Sequence, residues 1–436
     1  LNISFSNNYV LHLVVSRGVA AIGNALASFG IDVWFYQTTG SYSNFATIYI
    51  LTTLPPILIS PLAGFLSDRL RKSKILYLSE LVTLLLALIL AVCYIFESLE
   101  FPVLAACIFF MAVASEFRYT AMTALIPELA KKAELNSVNG IQQAFRGAVV
   151  VTGPLLGAVA YSSLGLLPLL MIAALSCGYA IVVARALMSF EANEARRGMG
   201  PISWMSFVND YAVGLRWLRS VSSLTTILLH FTLICGFLAL FRTLTVPHIL
   251  DAMGQGWLAL VVSAQGAGLL IAGIFLAKVG GSARPDRLLF AGCYTLSLSI
   301  IAFALCKTPF VLTVSAFAIG ASICFVSASN QTIWQTLTPT EIQGKIVALR
   351  SMMLYVFSPM SIYISVPLAE HFKSKGVGLP FSIAGIGQPT WSGLVLALVG
   401  VTVLVSSLIS QLIYKFDVRE PSIFSQDGKH EQNQTT

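Results

Sequence analysis

Six ionisable side chains interrupt stretches of the chain that are otherwise almost wholly apolar: Arg17, Asp32, Glu116, Arg118, Arg146 and Arg242. A charge at the centre of a bilayer costs ~2.5–3.5 kcal/mol on insertion scales, so each needs a reason. Asp32 and Glu116 are candidate proton-coupling residues, because a carboxyl in a poorly hydrated cavity can load and release a proton as its hydration changes. The alternatives are an interfacial Asp32 and a Glu116 paired with an arginine on another helix. Glu116 and Arg118 are two residues apart, about 200° around a helix, so they need different partners. Arg118, Arg146 and Arg242 outnumber the two carboxyls, which favours an anionic or oxygen-rich ligand unless structural partners consume them. Asn24, Trp34, Asn330, Gln331 and Trp334 could join such a ligand site, or could bond to neighbouring helices. His230 and His248 sit near opposite ends of one apolar run and read as interfacial. No catalytic triad or phosphate-cradling loop occurs, and the seven cysteines are scattered singly with no CxxC pair. Enzymatic activity, a bound metal and an organic cofactor are therefore not expected.

The elements that must position these groups follow from composition. Of 436 residues, 56% are hydrophobic and 10% charged, against roughly 25% charged in a soluble domain. A membrane helix needs ~20 apolar residues, and the pattern predicts twelve, near 11–36, 42–66, 75–96, 102–127, 138–162, 165–188, 222–248, 256–279, 287–306, 309–336, 346–369 and 390–414. The even-numbered loops and the tail carry nineteen Lys and Arg residues, among them Arg69, Arg71, Lys72, Lys74, Lys131, Lys132, Lys345 and Arg350. The odd-numbered loops hold three, Lys307, Lys373 and Lys375. By the positive-inside rule both termini are expected in the cytoplasm. The net charge of +7 is then a consequence of topology, and no nucleic-acid partner is expected. The residues before the first apolar run contain no Lys or Arg, so that run is expected to remain as a helix. Residues 1–188 are expected to form one six-helix bundle and 222–415 another, joined by a linker at 189–221 and followed by a tail at 416–436. Phe207, Tyr211, Leu215 and Leu218 recur at helical spacing in the linker, predicting an amphipathic helix on the membrane surface, with a solvated linker as the alternative.

One loop is specific. Gly64, Leu66, Asp68, Arg69, Arg71 and Lys72 lie between the second and third spans. They resemble the signature of the major facilitator superfamily at that loop, with Arg71 where the superfamily usually has Gly. The Gly permits close helix approach and the Asp can cap a neighbouring helix, so the loop can latch one conformation. A faded copy, Gly273 to Gly280, has Ala277 at the Asp position. Arg146 before Pro154 and Arg350 before Pro359 echo each other in the two halves, as expected of parallel repeats. Gly140, Gly153, Pro154 and Gly157 resemble the exporter-associated pattern of the fifth helix. Segments at 26–41, 55–64, 125–136, 214–217 and 338–350 are similar to the macrolide-efflux and enterobactin-exporter branch.

The resemblance implies an all-α integral membrane protein of twelve transmembrane helices in two six-helix pseudo-repeats, with the first, fourth, seventh and tenth lining a central cavity. It implies proton-coupled efflux of a small amphipathic molecule, siderophore-like or drug-like, by a monomer in the lipid bilayer of the bacterial inner membrane. The proton gradient would be the energy source, with no cofactor. A facilitator-type importer or uniporter, or a transport-dead sensor, are the alternatives.

Overall fold

The computed structural model describes residues 8–39, 51–52, 54–55, 57–191, 204–253, 257–280, 284–306, 308–354 and 391–419. Every element among them is helical. In chain order they are α1 (Asn8–Thr39), α2 (Ser60–Arg69), α3 (Lys72–Ile95), α4 (Phe101–Leu129), α5 (Leu135–Leu164), α6 (Leu166–Glu191), α7 (Trp204–Ser220), α8 (Ser222–Met253), α9 (Leu258–Val279), α10 (Pro285–Leu305), α11 (Pro309–Leu337), α12 (343–354) and α13 (Trp391–Arg419). Among the described residues nine helices are long and apolar enough to cross a membrane. A tenth is made by Lys132–Gly153 and Leu156–Leu164, which meet at 46°. The first part of the expected second span, 42–50, and most of the eleventh lie outside the described residues, as do Pro359 and 420–436.

Local chemistry sets several helix ends. Pro102, Pro285 and Pro309 stand in the first turns of α4, α10 and α11, where the missing N–H costs nothing. The turn from α5 to α6 passes through Gly165 at φ 76°, a left-handed conformation that glycine adopts without a Cβ clash.

Packing then forms two bundles with separate apolar cores. In the first, Leu13, Leu76, Leu125 and Leu187 gather at the end that carries the basic loops, and Phe35, Leu90, Leu104 and Leu170 at the other. In the second, Phe241, Leu296, Phe303 and Val403 join α8, α10 and α13. The bundles meet most closely where α5 crosses α9. A Cβ on Gly147 would strike the backbone of Leu270, and one on Gly273 the backbone of Ala144. The pattern of small residues expected on the fifth span thus divides. Gly140 lies against Ala277 and Leu276 across the interface, whereas Gly153 faces Ala25 and Gly157 the ring of Phe29, both on α1. The bundles are therefore locked together along the basic half of α5, and its remainder packs on its own bundle.

The linker helix departs from the expectation of a membrane-surface helix. Its apolar face is seated on protein: Phe207 is edge-on to Phe65 at 5.3 Å between ring centroids, the Tyr211 hydroxyl donates to the Pro61 carbonyl at 2.5 Å, and Leu218 is buried. Leu215 is exposed. Burial of the Phe207 and Tyr211 rings against α2 favours this seat, with the tyrosine hydroxyl keeping a hydrogen-bond partner.

Overpacking a close crossing costs about 1–3 kcal/mol. Gly147→Ala should lower the thermal unfolding midpoint of the detergent-solubilised protein. Gly178→Ala, where nothing lies within 4 Å of the added Cβ, should leave it unchanged or raise it slightly.

Candidate functional site

At the basic end the bundles are bolted together by polar contacts from residues far apart in sequence. The Asp68 carboxylate, at the end of α2, accepts the backbone N–H groups of Gly344 (2.7 Å) and Lys345 (3.0 Å) at the start of α12. Those are the donors a helix start leaves unpaired, and the helix dipole adds to the attraction. Burial pushes the Asp68 carboxyl up, to about 7, while these two donors and the nearby ammonium groups of Lys345 and Lys72 pull it down. Gly64 one turn earlier leaves room for the approach: a Cβ there would lie 2.6 Å from the Gly344 carbonyl oxygen. Arg69 pairs with Asp210 of the linker helix and lies 4.0 Å over the ring of Phe65. Asp210 also takes Lys345 at 3.4 Å, and Lys72 pairs with Glu128 at 2.9 Å. Arg71 stands at the N-cap of α3 without a side-chain capping bond.

A second layer lies above this latch. Asn139 on α5 donates to Thr332 (2.9 Å) and Gln335 (2.8 Å) on α11, Gln335 donates to the Thr123 carbonyl (3.2 Å), and Asn136 donates to the Gly280 carbonyl (3.3 Å). These side chains are buried. The basic end is closed by a latch and a polar seal.

Inside the first bundle the structure adds a charge that the sequence reading passed over. Glu80 on α3, 1% exposed, is paired with Arg17 of α1 and lies 3.7 Å from Arg118 of α4. Arg118 also donates to Thr83 at 3.1 Å. Glu80 is the one acid in the expected third span, and that isolation was the available signal. Arg118 is thus held within its own bundle. Glu116, 4% exposed, points elsewhere and accepts the Ser60 hydroxyl of α2 at 2.6 Å. Among the described residues no cation lies within ion-pair distance of Glu116. Asp32 is half-buried towards the other end of α1. Asn24 lies 3.9 Å from the Cys177 thiol, and Trp34 packs edge-on to Tyr94 beside the first bundle's core.

The remaining expected site residues converge just above the seal. Arg350, counted as a loop flank in the sequence reading, is buried in α12 with its guanidinium 4.7 Å over the Trp334 ring. Gln331 and Trp334 line a small cleft with Arg350. Asn330 is buried beside it in sequence. Arg146 and Arg242 are exposed, and their guanidiniums, with that of Arg350, lie within electrostatic reach of the Cys235 sulfur on α8. No cluster of metal-ligating side chains occurs among the described residues.

Two bundles related in this way are a carrier architecture, and comparison with known proteins identifies it. The family model described as Major Facilitator Superfamily matches residues 13–362. The chain belongs to this superfamily. It is a multi-pass membrane protein whose relatives include efflux proteins. Macrolide efflux protein A of Streptococcus pyogenes is 20% identical over 378 residues, covering 85% of this chain and 90% of that protein. Multidrug efflux pump Tap of Mycolicibacterium fortuitum is 21% identical over 390 residues, covering 86% and 94%. Among solved structures, a bacterial homologue of the iron transporter ferroportin in an outward-facing state superposes with a TM-score of 0.71 at 14% identity, covering 94% of this chain and 99% of that one.

Superfamily membership puts weight on the two charged assemblies. A hydrogen bond to a charged group is worth about 1.5–3 kcal/mol, so Asp68→Asn should loosen the latch by roughly tenfold or more. A cysteine introduced at Thr332 in the seal should then react faster with a maleimide; an unchanged rate would show that Asp68 does not hold this end closed. Glu80→Gln leaves two buried guanidiniums without a counter-charge, a change that costs about 3–5 kcal/mol. Adding Arg17→Gln to it should recover part of the lost thermal stability.

Proposed function

We propose that this chain is a proton-coupled exporter of a small amphipathic molecule, working by alternating access in the bacterial plasma membrane, with its basic end and both termini in the cytoplasm. The basic loops support that orientation through the positive-inside rule, and the printed functions of the two efflux relatives support export. In this reading the latch and seal close the cytoplasmic side, and the molecule is in the state that releases cargo outward.

The reading of proton coupling rests on Glu116. It is a buried carboxyl whose hydrogen-bond partner is a neutral hydroxyl, so no fixed cation has to be displaced when it takes up a proton. Glu80 is a poor candidate, because two arginines engage it. Ser60 follows α2 and Glu116 follows α4, so a rocking movement that shifts these helices would change the hydration of the carboxyl and hence its hold on a proton. Asp32, half-buried, serves as a second candidate nearer the exit. The cargo is siderophore-like or drug-like, and the energy source is the proton gradient, with no cofactor.

Transport by everted vesicles should collapse with the pH gradient. Glu116→Gln should lower gradient-driven transport at least tenfold, and Asp32→Asn by less. Gradient-independent transport, with both variants fully active, would instead favour a facilitator-type uniporter. Loss of the gene should raise sensitivity to a macrolide panel or lower secretion of iron chelators; neither change would remove both cargo classes.

A further inference from the structure

Two groups of membrane-embedded arginines are balanced differently. In the first bundle Glu80 sits between Arg17 and Arg118, so both guanidiniums there have a carboxylate beside them. Above the seal, Arg146, Arg242 and Arg350 come from α5, α8 and α12 and share the neighbourhood of Cys235. Among the described residues no carboxylate lies within ion-pair distance of any of the three. The undescribed stretch 355–390 contains one acid, Glu370, which is twenty residues from Arg350 in sequence. Arg350 is 6% exposed, and its guanidinium is covered on one face by a Trp334 ring that is itself 2% exposed.

A buried guanidinium normally finds an anion, because desolvating it without one is expensive. Two further polar atoms here are buried without a hydrogen-bond partner among the described residues: the Trp334 indole Nε1, a donor, and the Asn330 Oδ1, an acceptor. Asn330 is 1% exposed. The adjoining cleft is lined by Gln331, Gln335 and Arg350 together with Ile346 and Val347, so polar donors and apolar surface stand side by side. An inorganic ion could use the guanidiniums and the indole N–H but would leave the aliphatic surface idle. A flat organic anion would use both.

We propose that this cleft above the seal is the seat of an organic carboxylate, with the oxyanion held among Arg350, Arg242 and Arg146 and the apolar body against the Trp334 side. This rests on the reading of the chain as an exporter and narrows its cargo to amphipathic organic anions. Planar guanidinium groups suit a carboxylate because they can donate two parallel N–H bonds to it.

The test uses the full chain in nanodiscs of zwitterionic lipid, so that no anionic headgroup competes, and titrates 1-naphthoate and its neutral analogue 1-naphthamide by calorimetry. The carboxylate should bind at least tenfold more tightly than the amide. Arg350→Gln and Arg242→Gln should each weaken the carboxylate at least tenfold while leaving the amide unaltered. Arg350→Lys, which keeps the charge but not the planar fork, should fall between. Arg242 is exposed, so its variant remains informative if Arg350→Gln fails to fold. Equal affinity for acid and amide, or affinity for the acid within twofold of the parent in Arg242→Gln, would overturn the proposal, as would saturation of the site by inorganic phosphate alone. Because no gradient is applied, a binding site that survives in a chain unable to export would count against the exporter reading alone. Gradient-driven export that survives without carboxylate binding would count against the anion seat alone.

Discussion

The carboxylate of Asp68 on two N–H groups in the first turn of α12 is the contact on which the closed end depends. It joins the bundles at a point where each would otherwise present unpaired polar groups to the other: a half-buried acid on one side, an uncapped helix start on the other. With those groups satisfied, Arg69 and Lys345 can share Asp210, and the linker helix is drawn onto the joint with its aromatic face inward. The linker is thereby a third member of the latch, physically coupled to both bundles rather than a tether between them.

Above that joint the interface changes chemistry in layers. Amide and hydroxyl side chains form the seal, where Asn139 reaches both Thr332 and Gln335. Neutral hydrogen bonds hold a surface shut and cost little to exchange for water. Beside it the small residues of α5 and α9 allow backbone-to-backbone approach. Such contact gives close packing without side-chain interdigitation, so two bundles can move against each other with few rotamers to rearrange.

The distribution of charge also sorts the buried groups by what they can do. Glu80 with its two arginines is a fixed strut tying α1, α3 and α4. Glu116, with a serine for its partner, keeps the freedom to bind a proton, and Arg350 on its tryptophan keeps the freedom to bind an anion. Residues with similar chemistry thus end in different electrostatic surroundings through their neighbours alone.

Much of the architecture was legible in the chain. Apolar runs of membrane length, basic residues in alternate loops and the spacing from Gly64 to Lys72 determined a bundle of membrane helices, the end at which its charges collect and its superfamily resemblance. Each of those is a local property, carried by residues within one helix or one loop. The pairing of charges was not local. Glu116 meets Ser60 across 56 residues of sequence, Glu80 gathers arginines from two other helices, and Arg350 reads as a loop flank until α11 supplies the ring beneath it. The linker's apolar face fits a membrane or a protein equally well by periodicity. Helical periodicity fixes which way a side chain points on its own helix, but tertiary packing decides which helix stands opposite, and the partner opposite decides whether a buried charge is spent or available.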